Sequence, residues 1–254
     1  MRALALIDGE HYAPVVREAL ASLPYDVVGA LVVGGVEKLV GGEEYGVPIV
    51  DSLEAIDADV VFDLSRAVVV ALAGVAALAN EMVGWPYHHD LDLTGFIDGT
   101  ENPTLVEAAG VALIPDGSPG EGGSVLLLQQ WEHDAIGWEA LPVQEQEGII
   151  VRRKADSSEL DPVPASSHVG STDQDRFGKI FRRNIAYGTL LRHGTIFVGF
   201  SRDQRTLQAM LESMVGMAAN APDRLTTVTR AMTGAYYTIP SAERLARLSD
   251  QVNA

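Results

Sequence analysis

Ten residues, Thr94-Gly95-Phe96-Ile97-Asp98-Gly99-Thr100-Glu101-Asn102-Pro103, constrain the fold of this chain more than any other stretch. Gly95 and Gly99 permit positive φ or a close approach of backbone to a ligand, and Asn102-Pro103 ends any helix that reaches it. Regular elements must therefore be assembled on either side. One acid, Asp98, is left displayed between the glycines. Read alone, the stretch is either an Asp/Gly surface turn or a carboxylate facing a cavity.

The two sides read differently. Residues 2 to 8 pattern as a strand, 11 to 23 as a helix and 27 to 33 as a buried strand ending at Gly34-Gly35, a β-α-β opening with further short strands at 47 to 50 and 60 to 64. Arg66 to Val83 has helix length and few charges, so a buried helix is expected there. Downstream, strands are expected at Ser124–Trp131, Lys179–Ala186, Thr195–Phe200 and Ala235–Ile239. Helices are expected at His133–Leu141, Val143–Val151, Gln204–Met217 (capped by Ser201 or Asp203) and Ser241–Leu248. Strands separated by helices in this way argue α+β from residue 66 onward, against α/β before it. The division expected is an atypical α/β segment, 1–65, and a larger domain, 66–254.

Composition narrows the chemistry. With no cysteine, disulfides, thiolate metal sites and Cys nucleophiles are excluded, leaving His, Asp, Glu, Ser and Arg. A formal charge of −17 repels a phosphate backbone, so nucleic acid is not an expected partner. The basic clusters Arg152-Arg153-Lys154 and Arg182-Arg183 suit a small anion, or are solvated surface charge. Gly34-Gly35-Val36-Glu37-Lys38 lacks the phosphate-loop pattern. His88-His89 points its two rings to opposite faces if extended, which disfavours a shared metal ion. Met1 to Glu10 meets acids too early for a secretory core, and no apolar run has bilayer length. A cytoplasmic protein without a membrane segment is expected.

Four motifs in order carry a resemblance: Gly95-Phe96-Ile97-Asp98-Gly99-Thr100-Glu101-Asn102-Pro103; Ser167-His168-Val169; Lys179-Ile180-Phe181-Arg182-Arg183-Asn184-Ile185-Ala186-Tyr187-Gly188; and Asp223-Arg224-Leu225 with Thr233-Gly234-Ala235-Tyr236-Tyr237. Over residues 84 to 245 the chain resembles the dye-decolourising peroxidases, most closely their bacterial P-type branch. The resemblance implies an α+β fold with a ferredoxin-like antiparallel sheet, haem b as cofactor, and hydrogen peroxide with small-molecule electron donors as partners. It makes His168 the iron ligand, oriented by Asp223, and Asp98 the group that moves the peroxide proton. Arg182 becomes the distal cation, able also to reach a haem propionate, with Asn184 beside it. Arg152, in a segment where Val151 and Arg153 replace the expected Gly and Thr, lies near the haem edge. Phe197 and Phe200 wall the pocket, or pack as ordinary core. Trp131, Trp138, Tyr187, Tyr236 and Tyr237 are read mainly as packing, with electron transfer to surface donors as the alternative.

Residues 1 to 60 do not match that family; with Ala5-Leu6-Ile7-Asp8-Gly9-Glu10-His11-Tyr12 and Val33-Gly34-Gly35-Val36-Glu37-Lys38-Leu39 they resemble instead the start of cyclic 2,3-diphosphoglycerate synthetase, whose kinase chemistry needs a phosphate loop. The expected function is a haem peroxidase that reduces hydrogen peroxide and oxidises dyes, phenolics or similar one-electron donors. The alternatives are a haem carrier or sensor with little turnover, and a phosphotransfer or nucleotide-binding protein. A homo-oligomer is one way to cover the sheet surface that a shortened N-terminal half leaves bare. Some relatives are packaged in an encapsulating shell, but the tail after Leu248 is too short for a docking peptide.

Overall fold

The computed structural model describes residues 58–74, 76–88, 91–217 and 221–244. The elements expected at 2 to 8, 11 to 23, 27 to 33 and 47 to 50 lie outside the described residues. Two compact units divide the chain, Met1–Glu81 with Pro240–Ala254, and Met82–Ile239.

In the first unit a single helix, α1 (Ala58–Leu72), replaces both the strand expected at Val60–Leu64 and the first half of the helix expected at Arg66–Val83. The boundary expected after residue 65 falls inside it. A short apolar run such as Val60-Val61-Phe62 fits either period, and here the unbroken stretch up to Gly74 favours helix. The helix is not buried: Phe62 and Val70 are 64% and 63% exposed. Residues 76 to 83 carry no regular structure.

The second unit holds an antiparallel sheet. A two-residue strand β1 (Gly84–Trp85) and helix α2 (Leu105–Ala112) precede β2 (Ser124–His133). Helices α3 (Ala135–Ala140), α4 (Val143–Ile150), α5 (His168–Ser171) and α6 (Gln174–Phe177) lead to β3 (Phe181–Gly188) and β4 (His193–Ser201). Helix α7 (Gln204–Met214) and a 3-10 turn (Arg224–Thr227) precede β5 (Thr229–Ile239). The strands lie in the order β1-β3-β4-β2-β5. Its four long strands follow the β-α-β-β-α-β succession of a ferredoxin-like fold, with β1 added at the β3 edge. Pro142 separates α3 from α4 as the sequence implies, and Asp203 caps α7 by accepting from the Arg205 amide.

Cross-strand register settles which side chains share a face. Arg182 pairs with Gly199 and Asn184 with Phe197, which pair in turn with Leu127 and Gln129. All of these lie on one face, because directly opposed residues project together. Leu207 and Met210 of α7 pack on this face against Leu127 and Ile180, with Phe197 and Tyr236 at the margin. Phe181, Phe200 and Leu126 form a row on the opposite face. Phe200 is 4% exposed there. Phe197 and Phe200, expected either to wall the pocket or to pack as core, point to opposite sides, as residues three apart in a strand do. Phe200 is core.

Candidate active site

The Asp98 loop is shaped by its glycines. Gly95 and Gly99 have φ of +83° and +76°. A Cβ at Gly99 would lie 2.7 Å from Nδ2 of Asn102, so the glycine gives that amide its room. Asn102 closes the turn by donating its backbone N–H to the Gly99 carbonyl at 2.9 Å.

Because β1 meets β3 only at Tyr187 and Ala186, the β3 edge beside Arg182 and Asn184 is left for the loop to occupy. Alternate residues of a strand offer N–H groups to the same edge, and 182 and 184 are such a pair. The Asn184 N–H donates to Asp98 Oδ2 at 3.2 Å and its Nδ2 donates to Oδ1 at 2.9 Å. Arg182 Nε stands 4.0 Å from Asp98 Oδ1, an ion-pair separation rather than a hydrogen bond. Arg182 and Asp98 are 15% and 21% exposed at the side chain, so neither charge is fully screened by water. Buried Nε of Arg182 and Oδ1 of Asn184 have no protein partner. Such atoms cost free energy unless something satisfies them.

A second acid adjoins this cluster. Burial pushes the Asp92 carboxyl up, against hydrogen bonds from Thr94, and the charge of Asp98 adds to the rise.

His168 opens α5, where Ser167 caps the helix by accepting from the Gly170 amide. Its Nδ1 lies 2.7 Å from Oδ2 of Asp223, which is wholly buried. A carboxylate can only accept, so Nδ1 carries the hydrogen and the Nε2 lone pair is left for another partner. Asp223 is itself fixed: Oδ1 accepts from the Leu225 amide, and its N–H donates to the Met214 carbonyl. The adjacent Arg224 N–H donates to the Ser166 carbonyl and stitches this turn to the loop before His168. Orientation of the imidazole is thus held from both chain segments. Among the described residues no cluster of three or more His, Asp or Glu is disposed to hold a metal ion by itself. His168 would be a single protein ligand.

Arg152 follows Val151, which ends α4 in the left-handed region at φ 72°. The guanidinium pairs with Glu101 of the Asp98 loop, with Glu159 at 3.1 Å and with the Ser157 carbonyl at 2.8 Å, leaving Nε buried and unpartnered. Arg152 therefore ties down the far side of the Asp98 loop. Trp138 packs as core, donating Nε1–H to the Thr94 carbonyl at 3.0 Å and meeting Phe96 edge to face. Tyr236, with its hydroxyl buried and unpartnered, shares the Phe197 face, and Tyr237 the other. Of the His88-His89 pair, His89 lies outside the described residues, and the His88 ring packs on Tyr87.

The sequence reading missed two amides, Asn102 and Gln174. Asn102 was legible only as a helix breaker before Pro103. Gln174 is 9% exposed, donates Nε2–H to the Glu101 carbonyl at 3.0 Å and accepts from the Ile180 amide at 3.0 Å. The pattern Asp-Gly-x-x-Asn was the available signal for Asn102, since a short amide three residues beyond a glycine can turn back onto a strand.

A cavity of about 120 Å³ lies behind this loop, lined by Thr94, Trp138, Tyr87, His133 and His193 among others. Burial first, and then the neighbouring His193, push the His133 pKa down to about 4 from 6.5. The unfolded imidazole takes up a proton between those values that the folded one refuses. Its contribution to stability is therefore complete above pH 6.5 and is lost as the pH falls toward 4. His133→Gln should flatten the fall of the urea midpoint across that window; an unchanged slope would assign the acid lability elsewhere.

The profile of the family described as Dyp-type peroxidase, C-terminal, matches residues 89–244. That of the N-terminal domain of cyclic 2,3-diphosphoglycerate synthetase matches residues 2–88. A dye-decolorizing peroxidase of Mycolicibacterium paratuberculosis is 36% identical over 197 residues, 74% of this chain and 56% of the relative. One of Rhodococcus erythropolis is 34% identical over 74% of this chain and 58% of its own. The chain thus spans little more than half the length of the curated relatives it matches. For the N-terminal segment, the cyclic 2,3-diphosphoglycerate synthetase of Rubrobacter xylanophilus is 42% identical over 62 residues, 14% of its length. Among solved structures, a dye-decolorizing protein from V. cholerae superposes with a TM-score of 0.71 at 37% identity, covering 76% of this chain and 66% of that one. DypB of Rhodococcus jostii RHA1 gives 0.69 at 37% identity, covering 74% and 64%. A variant of DypB was solved in complex with heme.

Proposed function

Because the chain belongs to the Dyp-type peroxidase family, we propose that its second unit is a haem-binding peroxidase domain that reduces hydrogen peroxide at the expense of dyes, phenolics or similar one-electron donors. The observation that carries this reading is the pair of preformed clusters within one domain, Asp98 with Asn184 and Arg182, and His168 with Asp223. The residues fit the cofactor. His168 presents one unused ring nitrogen backed by a buried carboxylate, as a metal-bound imidazole requires. Arg152 and Arg182 each keep a buried, unpartnered Nε, suited to an anionic group such as a propionate or to bound water.

Haem b, when bound, supplies the iron at which the peroxide O–O bond is broken. The protein's part is proton and charge management. Asp98 accepts the proton of one peroxide oxygen and returns it to the other, so that the leaving oxygen departs as water. Arg182 contributes a permanent positive charge beside that oxygen as negative charge develops. Asn184 holds the Asp98 carboxylate by two N–H donors, and its unpartnered Oδ1 can order a water in the same space. Asp223 keeps Nδ1 of His168 protonated and directs Nε2 outward. Peroxide, two protons and two electrons from two donor molecules yield two water molecules.

A second reading is favoured by the span of the match, since the chain covers 56% and 58% of the length of two curated relatives. In it the domain binds haem but turns over poorly, as a carrier or sensor. Bleaching of an anthraquinone dye by the haem-loaded full chain, dependent on added peroxide, supports the peroxidase. A haem spectrum without bleaching beyond that of free haem supports the carrier.

A further inference from the structure

The side chain of Asn102 behaves as a residue of a missing strand. Its Oδ1 accepts from the Arg182 N–H at 2.9 Å and its Nδ2 donates to the Arg182 carbonyl at 2.8 Å. Only one orientation of the amide satisfies both bonds. Two residues along the same edge, Asp98 Oδ2 accepts from the Asn184 N–H at 3.2 Å. The loop therefore docks on the bare edge of β3 through side chains spaced like the backbone groups of an edge partner. Gly99 is left without a Cβ where the Asn102 amide passes, and Gln174 makes a further bridge from the Glu101 carbonyl to the Ile180 N–H.

We infer that Asn102 is a positioning residue of the peroxide site: its carboxamide fixes the register between the Asp98 loop and β3, and so sets Asp98 against both Asn184 and Arg182. The inference rests on the peroxidase reading for what the geometry is used for, but the clamp itself is a property of the chain. The Asp98–Arg182 separation of 4.0 Å leaves space between the groups without breaking their electrostatic contact. No direct bond holds them. Their distance is set by the shared backbone of β3, and Asn102 is the group that joins the loop to the backbone of Arg182 at both of its polar atoms. A displacement of about 1 Å in such an arrangement is enough to cost a large factor in rate.

The test uses haem-loaded full-length protein. In Asn102→Ala, amide exchange at Arg182 should accelerate about tenfold or more, because its N–H loses its acceptor, while exchange at Val198 in the sheet stays as in the wild type. The rate constant for reaction with peroxide should fall about tenfold or more, with haem retained. In an Asp98→Asn background the same substitution should cost little further, since both act through Asp98. An undiminished loss in that background, or unchanged exchange at Arg182, overturns the inference. If Asn102→Ala does not fold, Asn102→Asp serves: its carboxylate faces the Arg182 carbonyl as a second acceptor, and protonation restores a donor. Its deficit relative to wild type should then shrink as the pH is lowered, whereas a deficit independent of pH refutes the clamp. If Asp98→Asn alone leaves the peroxide reaction unchanged, the role given to Asp98 fails, and the exchange at Arg182 still decides whether Asn102 holds the loop.

Discussion

His168→Ala is expected to abolish the absorption band of His-ligated haem and to weaken haem binding, by about 100-fold or more if loss of the ligand exceeds the 10–100-fold attached to its outer partners. The expectation follows from the local geometry. Nδ1 is committed to a wholly buried Asp223, whose carboxylate accepts from the Leu225 amide and whose backbone N–H donates to the Met214 carbonyl at the end of α7. No other described imidazole shares this arrangement. His193 gives Nδ1 to the Thr189 carbonyl at a hairpin, and His133 faces His193 in a separate cavity. Removing the ring also leaves Asp223 as a buried carboxylate without its partner, which is destabilising in its own right. The spectrum separates the two effects: added imidazole should restore the ligated band if the cavity survives, and only refolding would restore it if the turn has collapsed. A wild-type spectrum in His168→Ala contradicts the assignment.

The second large effect is on reaction rather than binding. Asp98→Asn should slow the reaction with peroxide by roughly 10²–10⁴-fold, the range attached to a positioned proton-transfer group, with little change in the resting haem spectrum. Asparagine keeps the shape and one acceptor for the Asn184 bonds, so the loop stays docked while the base is lost. Stopped-flow absorbance at several peroxide concentrations reads the rate constant directly. A rate within twofold of wild type would transfer the proton step to Arg182 with water, and Asp98 would be left as a structural acceptor.

Much of the second unit was legible from the sequence, for physical reasons that can be named. The strands around Leu127 and Phe197 are apolar runs bounded by Gly and Pro, and Pro142 splits α3 from α4 because it can begin a helix but not continue one. Ordered motifs placed Asp98, His168, Arg182, Asn184 and Asp223. Local pattern reached less far elsewhere. Helix α2 was unread, since Thr104 with Glu107 forms its capping box in a stretch that also looks like loop. Val60-Val61-Phe62 was read as strand and lies in α1, because β-branched runs carry no length information of their own. For Phe197 and Phe200 the sequence left pocket wall and core packing both open; strand alternation separates the two rings, and register aligns Phe200 with Phe181 and Leu126. Asn102 escaped because its role depends on a bare edge eighty residues away in sequence, which no local spacing reports.

Proton transfer by Asp98, and the use to which the Asn102 clamp is put, both require that peroxide react at haem held by His168. Adding one equivalent of hydrogen peroxide to the haem-loaded full chain, and following the Soret region in milliseconds, tests that requirement most directly. A rapid change in the band is expected, with a rate proportional to peroxide concentration, and a return to the resting spectrum when a dye or phenol is added. A band that stays constant, or that only bleaches slowly as free haem does, contradicts it.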